Sequence, residues 1–143
     1  MLKKNCYDVQ SGLMCFPLNR REALRRHSIG GLRANLRKVL SERAVEAGAA
    51  AWKAVPPGSL RQATRCTAPV ARARQVAMYF AHIVFAANLT RAGGIFGRDR
   101  TTARHACSQM EDLRDDPRMD RAFDVMEHAL KSWVGTFSDE ASI

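Results

Sequence analysis

Between residues 36 and 134 the apolar positions recur every three or four residues, the period of helices that bury one side. Leu36, Val39, Leu40, Ala44, Val45 and Ala47 form a stripe that starts near Arg33, leads into Ala50, Ala51 and Trp52, and stops at Val55–Pro56–Pro57–Gly58. A second run from Val70 to Ala87 repeats at Val76, Ala77, Phe80, Ala81 and Val84. Asn88 is placed to end that helix and cap a short one, LTRAGGIF, after which Gly97 suits a left-handed turn. The helix predicted to start at Arg98–Asp99 has Ala103, Ala106, Met110 and Leu113 on one face. Arg100, Arg104 and Ser108 lie on the other, with Thr101 and Thr102 beside the first turn. Asp116 as N-cap and Pro117 at the first helical position open the last helix. Its stripe is Met119, Ala122, Phe123, Met126, Ala129, Leu130 and Trp133. No alternating strand pattern competes, so the chain reads as an all-α, compact helical domain.

The flanks carry weaker patterns. NRREALRRH can form a short basic helix that SIGG stops, so residues 1–35 read as a basic, flexible arm. Residues 36–134 then form the folded domain, and residues 135–143 form a loose tail.

Charge adds the first functional constraint. The 143 residues carry 23 Lys and Arg against 14 Asp and Glu, a formal net charge of +9. The excess sits before position 76; beyond it Arg91, Arg98, Arg100 and Arg104 cluster while the acids lie mostly after position 110. Such polarity fits a polyanionic partner. The longest apolar run, residues 76–89, is too short to span a bilayer and contains His82. Asn5, Asp8, Gln10 and Gly12 interrupt any signal-peptide core. Cys6, Cys15, Cys66 and Cys107 have no metal-ligand spacing and read as reduced thiols of a cytoplasmic protein. No metal and no other cofactor is expected. His82 and His105 read as packed or hydrogen-bonded residues, and Met126 and Trp133 read as core.

A helix, a tight glycine turn and a second helix with a polar, basic first turn make a helix-turn-helix. The segments VARARQVAMYFAHIV and NLTRAGGIFGRDRTTARHAC, followed by SQMEDLRDD, resemble the C-terminal DNA-binding domain (domain IV) of the bacterial replication initiator DnaA. That family has a basic loop A-R-P-R-Q, a short helix ending in F-G-G, and a signature R-D-H-T-T-V followed by H-A. The counterparts are residues 71–75, Phe96–Gly97, Arg98–Asp99–Arg100–Thr101–Thr102–Ala103 and His105–Ala106. The resemblance extends more weakly upstream and covers about residues 36–134.

The resemblance implies a fold of the Trp-repressor and DnaA C-terminal kind and a double-stranded DNA partner. It implies that Arg72 enters the minor groove and that Asp99, Thr101 and Thr102 face the major groove. Arg98 and Arg74 would lie near the DNA backbone, and Arg100 and Arg104 complete the expected face. Arg100 stands where the family has histidine, and arginine prefers guanine O6 and N7. One glycine of F-G-G is missing, and Ala92 and Ala103 replace larger apolar residues. These departures bear on which site is read. No Walker A loop occurs, so no nucleotide is expected and the chain reads as a DNA-reading domain without an ATPase.

The expected role is regulation of transcription or of replication initiation in a bacterial cytoplasm, associated with the nucleoid, and not catalysis. Two other classes compete with it. One is a protein-interaction module whose basic face only steers association. The other is a metal-dependent nuclease built from Asp112, Asp115, Asp116, Asp120, Asp124 and Glu127, residues that otherwise read as an acidic outer face.

Overall fold

In the computed structural model, residues 18–63 and 66–139 are described, with side chains from residue 30 to residue 136. They form five α-helices and one 3₁₀ turn: α1 (Leu18–Trp52), the 3₁₀ turn (Pro57–Arg61), α2 (Ala68–Ile83), α3 (Leu89–Ile95), α4 (Arg100–Arg114) and α5 (Pro117–Asp139). The chain divides into two compact units, residues 1–36 and residues 37–143. The second unit holds the core and every candidate site residue.

α1 differs from expectation. It runs through Gly30 and Gly31 without a break. Glycine costs about 1 kcal/mol per helical residue but keeps its N–H and carbonyl in the ladder, so it weakens a helix without interrupting it. Gly48 passes in the same way, with nothing within 4 Å of its would-be Cβ. The helix ends with Ala54 in the left-handed region (φ 51°) and the Val55 N–H donating to the Ala50 carbonyl at 3.0 Å. This is a Schellman closure built on alanine instead of glycine.

The centre of the core is aromatic. Phe80 and Phe123 meet edge to face at 5.6 Å, and Tyr79 and Trp52 contact Phe123 at 6.0 and 5.7 Å. Around them lie Val45, Ala49, Ala50, Leu60, Val76, Ala77, Phe96, Ala103, Ala106 and Met110. α2 packs chiefly against α4, and α3 against both. The many alanines keep α2, α3 and α4 close. Glu46, 1% exposed, places Oε2 against Arg43 Nη1 and Arg61 Nε, both at 2.9 Å. Its Oε1 is buried without a hydrogen-bond partner among the described residues. Arg61 continues to the Ile95 carbonyl at 3.2 Å and stacks over Phe96, which ties α1 to the C-terminus of α3.

The last helix departs from the expected pattern at its end. Phe123 and Leu130 are buried and Met126 is partly buried, but Trp133 is 37% exposed. It borders an open apolar groove of about 470 Å³ whose other wall is Leu40, Ala44, Ala47 and Gly48. Three of those four α1 residues are alanine or glycine, which leaves the groove open beside Trp133. α5 also continues to Asp139, into the residues 135–143 expected to form a loose tail. Arg114 gathers Asp120 (2.8 Å), Asp124 (2.9 Å) and Glu127 (3.0 Å), and its Nε donates to the Tyr79 hydroxyl at 2.8 Å. Burial pushes the Tyr79 phenol up to about 12, so it stays protonated beside that cluster. Among the described residues no helix is long and apolar enough to cross a membrane.

The closest backbone approach lies at Gly93. A Cβ there would sit 2.6 Å from the Arg98 carbonyl oxygen and 2.7 Å from that of Asp99. Gly93→Ala is therefore expected to destabilise by about 1–3 kcal/mol through overpacking. Gly94→Ala, with open space around it, is expected to be neutral or stabilising by up to about 1 kcal/mol. Urea unfolding of the two variants checks the pair; equal effects would show that the contact at Gly93 relaxes freely.

Candidate nucleic-acid interface

α3, the four-residue turn and α4 form the helix-turn-helix. Asn88 caps α3, its Oδ1 accepting the Arg91 N–H at 2.8 Å. After Ile95 the chain turns through Phe96, which is buried, and Gly97 at φ 64°, where a side chain would be strained. Asp99 then caps α4, accepting the Thr102 N–H at 2.6 Å. The Thr102 amide and hydroxyl hold this exposed carboxyl below its ordinary value. Asp99 thus orients the first turn of α4 while remaining on the surface.

Ala103, Ala106 and Met110 fasten the inner face of α4 to the core. The opposite face is free: Asp99, Arg100, Thr101, Thr102, Arg104, His105 and Ser108 are exposed. His105, expected to be packed or hydrogen-bonded, is exposed on this surface next to Arg104. The charge along α4 is graded. Arg100 and Arg104 occupy its first turns, while Glu111 and Asp112 lie in its last turn and Asp115 and Asp116 just beyond it. A polyanion is attracted to the N-terminal half and repelled from the C-terminal half.

The counterparts of the basic loop are not in a loop. Residues 71–75 belong to the first turns of α2, which starts at Ala68 with Pro69 beside its N-cap. Alanine at position 73, where the resembled motif has proline, keeps an N–H in the helical ladder and lets the helix begin early. Arg72 and Arg74 consequently point to different sides, since two residues on a helix are about 200° apart. Arg72 is half-buried, and its Nη1 donates to Gln75 Oε1 at 3.3 Å.

Arg74 corrects the expectation of a residue near the DNA backbone. It is 6% exposed and donates to the carbonyls of Leu60 (2.6 Å), Gln62 (3.2 Å) and Ser59 (3.5 Å), and to Cys66 Sγ at 2.8 Å. Its donors are spent on the 3₁₀ turn and on the segment that joins that turn to α2. Arg98 is half-buried and donates to the same Gln62 carbonyl at 3.3 Å. One backbone oxygen therefore receives an arginine from α2 and an arginine from the turn before α4. A backbone acceptor leaves no trace in a residue pattern, and that junction was not foreseen.

Gln75 lay within the quoted motif without a role. Its Nε2 donates to Gln109 Oε1 on α4 at 2.7 Å. His82 is hydrogen-bonded as expected, with Nδ1 2.8 Å from the Ala87 carbonyl. Three of the six acids proposed for a nuclease, Asp120, Asp124 and Glu127, pair with Arg114, and among the described residues no three potential metal ligands converge. Cys66 and Cys107 form no disulfide among the described residues; Cys6 and Cys15 lie outside them.

Residues 51–110 match the family described as the bacterial DnaA protein helix-turn-helix. The match runs from the end of α1 through the 3₁₀ turn, α2 and α3 to Met110 in α4, and includes both arginine-bearing motifs. The segment is thus similar to a helix-turn-helix family of the bacterial DnaA type, a family of DNA-binding modules. No curated protein and no solved structure matches the chain.

Two measurements test this layout. Arg74→Met takes the buried donor from the Leu60 carbonyl and one of the donors from the carbonyls of Ser59 and Gln62, so a loss of at least about 2 kcal/mol in stability is expected, whereas Arg72→Met should change stability by less than about 0.5 kcal/mol. Equal losses in urea unfolding would contradict the different burial of the two side chains. The Asp99 cap has its own pH signature. Because its carboxyl is depressed below 3.8, the contribution is complete above that pH and falls away as pH drops through the lower, folded value. The difference in thermal midpoint between the wild type and Asp99→Ala should therefore shrink only in that acid range; a difference already gone at pH 5 would assign the cap to another group.

Proposed function

We propose that this DnaA-type domain binds double-stranded DNA sequence-specifically. The N-terminal half of α4 enters the major groove and Arg72 enters the minor groove. The observation that carries this reading is the exposed row Asp99–Arg100–Thr101–Thr102–Arg104 on a helix whose other face is locked into the core by Ala103, Ala106 and Met110. A reading helix needs that division: a rigid back, and a front whose polar groups are free to meet base edges. The graded charge of α4 sets the direction of entry, N-terminal end first. Arg98, held half-buried at the Gln62 carbonyl, lies at the edge of this face and is assigned to a phosphate. Arg74 is assigned a structural role only.

Arg100 is the residue proposed to alter the site. A guanidinium can donate a bidentate pair to guanine O6 and N7, which the family's histidine cannot. The biological role that follows is occupancy of particular sites to regulate transcription or the initiation of chromosome replication, in the cytoplasm and at the nucleoid. No nucleotide is required for that role.

Selection from a random duplex library at physiological salt is expected to enrich one motif, bound roughly a thousandfold more tightly than unrelated DNA. Arg100→Ala is expected to cost about 1–3 kcal/mol and to flatten the preference at one base pair. An equal loss on all sequences would make Arg100 a phosphate contact. Binding should weaken steeply with salt. Absence of DNA binding at low salt would sink the reading and favour a protein partner whose association the basic face only steers.

A further inference from the structure

Arg72 and α4 are joined by a chain of two hydrogen bonds through Gln75. Arg72 Nη1 donates to Gln75 Oε1 at 3.3 Å, and Gln75 Nε2 donates to Gln109 Oε1 at 2.7 Å. The chain has one direction. Arginine only donates, so the Gln75 oxygen must face Arg72 and its NH₂ must face α4, where Gln109 must present its own oxygen. Both glutamines are half-buried, so neither is a freely rotating surface side chain. The link spans 34 residues of sequence, and it meets α4 on its third turn, behind the exposed face that carries Arg100 and Arg104.

We propose that Gln75 and Gln109 are positioning residues that hold the Arg72 guanidinium in register with the recognition helix, so that the two grooves are read as one unit. The proposal rests on the DNA reading above. Neither glutamine needs to touch DNA in it. An unrestrained arginine has many rotamers, and fixing one before binding removes part of the ordering cost of inserting it into a groove. The coupling also sets specificity: a shift of α4 on its base pairs moves Arg72 with it, so a duplex that satisfies one contact but not the other is disfavoured.

The test uses the full chain and the duplex enriched by the wild type. Arg72→Ala defines the base pairs whose preference depends on Arg72. Gln109→Ala, which leaves Arg72 and Gln75 intact, is expected to weaken binding about three- to tenfold, the cost of ordering one long side chain, and to flatten preference only at those base pairs. In the Arg72→Ala background the same change is expected to cost nothing further. Gln109→Glu retains an oxygen for the Gln75 NH₂ and is expected to restore the preference profile, even where its charge lowers overall affinity. Thermal unfolding confirms that each variant is folded.

A uniform loss on all duplexes, or a loss that persists without Arg72, would make Gln109 a general structural or phosphate-facing residue and overturn the proposal. An unchanged profile for Gln109→Ala would do the same while leaving the DNA reading intact. A wild type that enriches no motif removes the reading and this proposal together.

Discussion

The helix-turn-helix depends on a contact between backbones. Gly93 of α3 lies against the carbonyls of Arg98 and Asp99 at distances no Cβ can occupy. That approach brings the entry of α4 down onto α3. It lets Gly97 close the turn and Asp99 cap the first turn, and it seats Ala103, Ala106 and Met110 in the core. The exposed row from Asp99 to Arg104 is the outer consequence. Its position is set by how close two helices can come, which is a property of the smallest residue in the segment and not of the charged residues themselves.

Charged groups then fix what the close packing leaves adjustable. Burying an ion costs several kcal/mol unless partners replace its water, so buried charges act more as registers than as sources of stability. Arg74 spends its donors on the segment before α2, and the Gln62 carbonyl it uses also receives Arg98. Glu46 and Arg61 join α1 to the last carbonyl of α3. Together these contacts relate the start of α2 to the start of α4, the two places that carry the proposed reading residues. Arg114 serves the far end of α4 in the same way, drawing three acids of α5 onto one guanidinium.

Much of the fold was legible because helical signals are local. Asn88, Asp99, Asp116 and Pro117 are residues whose chemistry acts within one turn of their position, and each stands at the helix start it suggests. The glycines of SIGG misled, because glycine lowers helix propensity without removing a hydrogen bond. Trp133 misled because apolar spacing says which face is inner but not whether the facing helix is tall enough to cover it. Arg74 misled for a third reason. In a loop, neighbouring basic residues can face one surface; on a helix, residues two apart cannot.

The amino-acid order by itself determined an all-α domain, a glycine turn between two short-spaced helices, and a basic row opposite the apolar stripe of α4. These follow from period, propensity and capping, which act over a few residues. Only the tertiary structure decided which arginines face outward, since that depends on partners far away in sequence: carbonyls of residues 59–62 for Arg74 and Arg98, and an amide on α4 for Gln75. Helix geometry separates Arg72 from Arg74, and long-range hydrogen bonds then give one a place linked to α4 and the other a place in the core.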